Sequence, residues 1–450
     1  MSEHECSIIE IPDDKIVDWI IGSLTDVDAN PTPQQSSAAK IPRLSRSIVS
    51  EKLDYDKYFV PQAVSIGPYY FGQPKLQMMQ KRKPFYTMRL LSGNKETLRS
   101  LYNKLAEPDM LKDLRSFYEE NSTSKYCDKV FTKMMLLDSC FLLYYINPVK
   151  GGDSFHWFIE SGEEHCFVRQ DLFLLQNQIP FKLLRLVASL ADICDLYRIY
   201  RFIFDYQPAV FRRDADKLAR SLESELIGIE PDHLLQLLHR ARAPSYRSYK
   251  GPMNAAKEYY NNNSKTISFP TANQLLDVWI RFQPSETISL GHCDFSKYWC
   301  GFSDVVRLPP ISLSTTFKPK LLNLIAYETC SDKEAWVTSY VCLLHSLIRN
   351  LEDVKVLRKA GVLESHLGTD NEVLDFLSEI ATDLVPRNSS TYTDLKDKIQ
   401  GHYEDWSDTS IFELRHEYRK SPWKYISLLG AFLALFLTDV QTYFTVWSRN

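Results

Sequence analysis

Residues 128–146 read DKVFTKMMLLDSCFLLYYI. Apolar side chains fall on nearly every face of a helix drawn through this stretch, so it is either the central helix of a globular core or a membrane span. The charges decide between the two. Asp128, Lys129, Lys133 and Asp138 confine the uncharged part to Ser139–Ile146, and a bilayer needs roughly 20 apolar residues. The stretch is therefore a buried helix with a helical domain around it.

Working outward, the pattern from Gln73 to about Arg240 is mostly helical. DLFLLQNQIPFKLL, Asp171 to Leu184, reads as a second buried helix that Pro180 breaks or kinks. Inside it Gln176, Asn177 and Gln178 need hydrogen-bond partners, and a satisfied structural cluster outweighs a binding site. HLLQLLH, His233 to His239, follows a helix start at Pro231-Asp232; its histidines are six apart and do not share a metal. From Val278 to Leu313 the runs shorten and become β-branched or alternating, which reads as a small antiparallel sheet. Helices then resume. Val337, Tyr340, Val341, Leu344, Leu347, Ile348 and Leu351 follow one helical face. The next helix ends at Gly361, with Arg358 and Lys359 in its last turn. Thr369-Asp370-Asn371-Glu372 is a capping box opening another, which buries Val373, Phe376, Leu377, Ile380 and Leu384.

Before all this, Ile16–Leu24 reads as a short amphipathic helix and Asp26–Lys40 as a flexible linker rich in Pro, Ser, Gln and Ala. The acidic N-terminus has no apolar stretch of the kind a secretory signal needs. The chain thus divides into 1–40, a helical domain over 41–420 with a β insertion near 278–313, and a terminal segment at 423–447.

That terminal segment, YISLLGAFLALFLTDVQTYFTVW, poses the membrane question again. Tyr425–Thr438 carries no charge, and a span must run on through Asp439 to about Trp447. An ionised Asp at a span's centre costs about 2.5–3.5 kcal/mol, less when it lies past the middle. Trp423 and Tyr425 at one end, and Tyr443 and Trp447 at the other, stand where interfacial belts do. Arg415, Arg419, Lys420 and Lys424 precede the run and Arg449 follows it, which places the body on the cytosolic side. The anchor residues are Trp423, Tyr425, Leu428, Leu429, Phe432, Leu433, Leu435, Phe436, Leu437, Tyr443, Phe444 and Trp447. The competing reading is an apolar terminal helix docked on the core. Sequons at Asn121, Asn262 and Asn388 keep the opposite topology open.

The chain of 450 residues is 44% hydrophobic, with 24 Phe and 25 Tyr, enough for a large core. A net charge of −4 gives no nucleic-acid footprint. Lys81-Arg82-Lys83 reads as a solvated helix face. Nine scattered cysteines without C-x-x-C suit reduced thiols, with Cys140, Cys330 and Cys342 as small core residues. Phosphate-loop, dinucleotide, nucleophile-elbow and zinc-protease motifs are absent. Glu163-Glu164-His165-Cys166, His292-Cys293 with Cys300, and His345 near Cys342 are weak candidates for catalysis or metal binding. No catalytic residue, cofactor or metal is expected. SIGPYYFG, Ser65 to Gly72, specifies a turn rich in rings; it is a structural turn on the core or, if Gly67, Pro68, Tyr69, Tyr70 and Phe71 face outward, a recognition surface.

The order of blocks resembles a plant family known as domain of unknown function 247. The blocks are IPRLSRSI (Ile41 to Ile48), YFVPQAVSIGPYYFGQPKLQMM (Tyr58 to Met79), MMLLDSCFLL, DLFLLQNQIPF, HLLQLLH, LLNLIAYETC, VTSYVCLLHSLI, DVKVLRKAGVLESHLGTDNEV and LTDVQTYFTV (Leu437 to Val446). The chain departs from the family pattern at Gln80, Tyr144 and Gln176, where carboxylates are typical. The resemblance implies a helical fold, a C-terminal hydrophobic segment and no established enzymatic activity; some grass members look like self-incompatibility determinants. The combined expectation is a mainly α protein with a C-terminal transmembrane helix. Its expected role is a non-enzymatic recognition or signalling component at the plasma membrane or an endomembrane, with an unknown protein partner and no nucleic acid. The rivals are an enzyme of unrecognised type acting on a lipid or small metabolite, and a soluble structural protein whose terminal helix is core.

Overall fold

The computed structural model describes residues 15–22, 39–46, 53–146, 162–192, 196–204, 214–226, 230–244, 269–297, 304–314, 317–331, 335–381, 391–407 and 422–447. The chain is mainly helical. The N-terminal half contains α1 (Ile16–Ile21), α2 (Tyr55–Tyr58), α3 (Gln77–Leu90), α4 (Lys95–Leu105), α5 (Pro108–Arg115), α6 (Glu120–Thr123), α7 (Asp128–Ile146), α8 (Gly162–Asp171), α9 (Phe181–Leu190), α10 (Leu196–Phe204), α11 (Ala215–Glu225) and α12 (Leu234–Arg242). The C-terminal half contains α13 (Ala272–Asp277), α14 (Phe317–Cys330), α15 (Trp336–Leu347), α16 (Leu351–Lys359), α17 (Asp370–Ala381), α18 (Thr393–Ser407) and α19 (Pro422–Trp447). One contiguous hydrophobic cluster runs through both halves.

Helix α7 has the bounds expected of it and is the axis of the N-terminal half, with α3, α4, α9 and α10 packed around it. Phe131, Met134, Met135, Cys140, Phe141 and Leu143 are wholly buried. A helix apolar on all sides is stable in water only when others cover it, and four do. The short helix α1 belongs to this core rather than to a separate tail: Val17 and Ile20 are buried, and Lys133 of α7 donates to the carbonyls of Trp19 and Gly22, at 2.6 and 2.9 Å. Those carbonyls are the unsatisfied acceptors of the α1 C-terminus, so the lysine acts as its cap. The expected linker lies mostly outside the described residues.

Three expectations need correction. The β region is mixed, not antiparallel. Strands β1 (Ile280–Pro284), β2 (Asp294–Ser296) and β3 (Asp304–Leu308) form a sheet ordered β1-β3-β2, in which β1–β3 is parallel and β2–β3 antiparallel. The segment after β1 does not turn back as a hairpin. It runs off to α12, where the Leu290 amide donates to the Arg242 carbonyl at 2.7 Å. A second, parallel pair joins β4 (Ile311–Leu313) to β5 (Leu363–Ser365).

Next, Asp171–Leu184 is not one kinked helix. α8 ends at Asp171, residues 172–180 form buried irregular chain, and Pro180 is the N-cap of α9. The Gln and Asn side chains of that segment replace the helix ladder, as described below. Finally, Lys83 is not on a solvated face. It is fully buried, although Lys81 is exposed.

The capping expectations hold. Gly361 adopts φ +76° after α16, and the Glu372 amide donates to Thr369 Oγ at the start of α17. Val373, Phe376, Leu377 and Ile380 are buried; Leu384 lies outside the described residues. Asp353 closes a second capping box with Asn350 and also accepts the Asn273 amide at 2.8 Å, tying α13 to α16.

Candidate functional site

Two places carry the sequence-level candidates: the ring-rich turn with its polar neighbours, and the terminal helix.

The turn faces inward. Gly67 and Pro68 are buried, Tyr70 and Phe71 are buried, and Tyr69 is half-buried. The Tyr69 hydroxyl donates to the Ile41 carbonyl at 2.6 Å, and that of Tyr70 to Gln176 Oε1 at 2.7 Å. Four of the five are buried and Tyr69 is only partly exposed, so the turn packs mainly on the core. Gly67 is required there. It sits at φ +78°, and a Cβ would lie 2.6 Å from the Gln178 carbonyl.

What the segment before the turn does is unusual. It pairs with no strand over residues 62–67, so its amides need other acceptors. Asp171 accepts the amides of Gln62, Ala63 and Val64, with contacts of 2.6–3.1 Å. Asn177 Oδ1 accepts the Ile66 amide at 2.7 Å, and its Nδ2 donates to the Val64 and Asp171 carbonyls. Asp138 accepts the Gly67 amide at 2.7 Å. Lys83 donates to the Ser65 carbonyl at 2.5 Å, to Gln80 Oε1 at 2.7 Å and, by a shorter contact, to Asp138. Gln178 Oε1 accepts the Leu235 amide while its Nε2 donates to Leu172, Leu174 and Asn177 carbonyls. Side chains thus build the ladder that a neighbouring strand would supply. Gln176, Asn177 and Gln178 are the satisfied structural cluster expected of them.

Burial sets the electrostatics of this network. It pushes the Asp171 carboxyl up to about 7, although three backbone amides favour the charged form. It lowers Lys83 and raises Asp138, while each partner's charge opposes the shift. Gln80, Gln176 and Tyr144 have separate partners: Gln80 at Lys83, Gln176 at Tyr55 and Tyr70, and Tyr144 stacked 5.7 Å from Tyr86.

Of the weak chemical candidates, Cys166 is exposed and Cys293, Cys330 and Cys342 are half-buried; Cys140 alone of the three expected core cysteines is fully buried. Among the described residues no group of three His, Cys, Asp or Glu could hold a metal ion. Cys300 lies outside the described residues. His233 and His239 both set their rings against Tyr327, at 5.4 Å each, and His239 Nε2 meets Glu328 Oε1 at 2.8 Å.

The terminal helix α19 is the opposite of the turn. Ile426, Leu429, Phe432, Leu433, Leu435, Phe436, Leu437, Tyr443 and Phe444 are all exposed, Leu429 by 69%. Among the described residues only four other large hydrophobic side chains are exposed: Met78, Phe85, Phe167 and Leu190. The helix is thus not a core helix, which removes the reading of a terminal segment buried against the domain. Its threonines hide their hydroxyls: Thr438, Thr442 and Thr445 each donate to the carbonyl four residues back at 2.7 Å. The side chains of Trp423, Tyr425, Leu428 and Trp447 lie outside the described residues. Among the described residues no helix is long and apolar enough to cross a membrane.

Sequence reasoning missed Lys83, Asp138, Asp171 and Glu328 as organising groups. For Asp138 and Glu328 the available signal was a charge inside an apolar run, which must find a partner once buried.

Comparison with known proteins adds a family. The family model described as DUF247, plant protein of unknown function, matches residues 41–437. UPF0481 protein At3g47200 of Arabidopsis thaliana is 25% identical over 411 residues, covering 86% of this chain and 82% of the relative. A second UPF0481 protein of that plant, At3g02645, is 21% identical over 481 residues, covering 87% of each chain. No solved structure matches.

Proposed function

The chain belongs to the DUF247 family of plant proteins of unknown function, and from that premise we propose that it is a non-enzymatic, membrane-associated component held at a membrane by α19. Its helical body then acts in recognition or signalling beside that membrane, facing the cytosol. The observation that carries the reading is the row of exposed apolar side chains on α19. Soluble proteins rarely leave so large a contiguous apolar surface open to water, and such surfaces mark membrane or partner contacts. The internal bonding of the α19 threonines lowers the cost of leaving water. Lys424 at its start, with Arg415, Arg419 and Lys420 before it, favours a cytosolic body. Asn121, the sequon within the described residues, is exposed in α6. A glycan there would reverse the orientation.

The experiment is carbonate extraction and protease protection of tagged full-length protein beside a chain ending at Ser421. The reading expects full-length protein in the pellet and the shorter chain in the supernatant. Full-length protein released by carbonate would reject the embedded helix, and a protected body would reject the cytosolic orientation. Proximity labelling that returns no specific protein neighbour would count against the recognition role.

A further inference from the structure

Helix α3 turns its two faces to different surroundings. The inner face, with Met79, Lys83, Tyr86, Thr87 and Leu90, is buried, and α7 is its main neighbour. The outer face carries Met78 and Phe85, two of the four large hydrophobic side chains exposed outside α19 among the described residues. Phe85 is 58% exposed, so the body of the protein does not cover its ring.

The charges on that face are of one sign. Met78, Arg82, Phe85 and Arg89 follow at i, i+4, i+7 and i+11, so a single stripe alternates apolar and basic side chains. Lys81 lies beside the stripe, and Lys75 stands in the short 3-10 turn Pro74–Leu76 that leads into the helix. Lys75, Lys81 and Arg89 are exposed and Arg82 is half-buried. Among the described residues Lys75, Lys81 and Arg89 enter no ion pair. Lys83 differs, because its charge is spent inward on Asp138. The bias extends beyond the helix. Residues 57–95 hold seven basic side chains and no acidic one, in a chain with 57 acidic residues. The face therefore attracts anions, and it sets two apolar side chains among its cations.

We infer that this face of α3 is a contact surface for an anionic membrane, with Met78 and Phe85 entering the headgroup layer and Lys75, Lys81, Arg82 and Arg89 set on the lipid headgroups. Such a surface gains both from burying apolar side chains and from the negative potential of the leaflet. The long stems of Lys and Arg let their charges stay at headgroup level while the stems cover apolar surface. An acidic protein would match the charges too; the choice of a membrane rests on the reading of α19 given above, which holds the body beside one. The contact is reversed by salt and is not an anchor, since two side chains bury far less apolar surface than α19 does.

The test uses the full chain carrying Phe432→Ser and Phe436→Ser, so that α19 does not hold it. Sedimentation is followed with vesicles of phosphatidylcholine, alone or mixed with phosphatidylserine. At low salt the chain should bind the mixed vesicles about tenfold more tightly or better, and high salt should release it. Lys81→Gln with Arg89→Gln should weaken that binding about tenfold or more. Phe85→Ser should weaken it severalfold. These changes fall on exposed side chains and should leave the melting temperature near that of the parent. Lys359→Gln with Lys398→Gln removes equal charge from α16 and α18 and should leave binding intact. The inference is overturned if neither vesicle binds, if both bind alike, if the α3 substitutions leave binding unchanged, or if the α16 and α18 pair weakens it equally. Binding to polyglutamate but not to phosphatidylserine vesicles overturns it in favour of an acidic protein. Carbonate extraction of the unsubstituted chain judges α19 separately. A chain that carbonate releases, and whose substituted form still binds phosphatidylserine through α3, loses the α19 reading and keeps this one.

Discussion

Helices α7 and α19 are the two longest helices among the described residues, both rich in apolar side chains, and they have opposite surroundings. α7 is buried by four helices; the described side chains of α19 are exposed, save the half-buried Val440. Their charges differ in the same sense. Lys133 of α7 caps α1 and Asp138 pairs with Lys83 and the Gly67 amide, so each intrahelical charge has a built partner. Asp439 of α19 stands on an exposed helix beside threonines that bond only to their own backbone. Apolar content says that a helix must leave water. The partners of its charges say whether the protein itself is what it leaves water for.

This contrast can be broken most forcefully at Asp138. Asp138→Ala leaves Lys83 buried and unpaired, and urea denaturation should register a loss of about 3–5 kcal/mol. Lys83→Met in the same chain should recover much of it; a loss that the second change does not relieve would contradict the pairing. An acid titration comes next. Burial holds His233 at about 4, against 6.5 when unfolded. A base with a depressed folded pKa gives stability that is present above pH 6.5 and is lost as pH falls toward 4, by up to about 3 kcal/mol. His233→Asn keeps the helix N-cap acceptor and should flatten stability across that window. Gly67→Ala should cost about 2–3 kcal/mol, from its positive φ and the approach to the Gln178 carbonyl. The smallest effect belongs to α19. Phe432→Ser with Phe436→Ser should change the melting of the body by no more than about 0.5 kcal/mol while releasing the protein from membranes.

How far the sequence could be read follows from the same physics. α7, the Gly361 stop and the Thr369 cap are local patterns where periodicity or spacing puts them; the face expected from Val337 to Leu351 is cut after Leu347, where Asn350 caps a new helix that Leu351 opens. The pairing of β1 with β3 and the side-chain ladder over residues 62–67 are not local. Asp171 reaches Gln62 across 109 positions and Asn177 reaches Ile66 across 111, and no periodicity within either stretch encodes the other. The same holds for Lys83, whose neighbours Lys81 and Arg82 suggested a solvated face until Asp138 supplied the reason to turn inward.

The most direct test of the contrast is hydrogen–deuterium exchange on the full chain, with and without lipid vesicles. The account predicts slow exchange across Asp128–Ile146 in both conditions, and slow exchange across residues 426–445 only when vesicles are present. Equal protection of residues 426–445 without lipid, or fast exchange there with it, would contradict the membrane role assigned to α19.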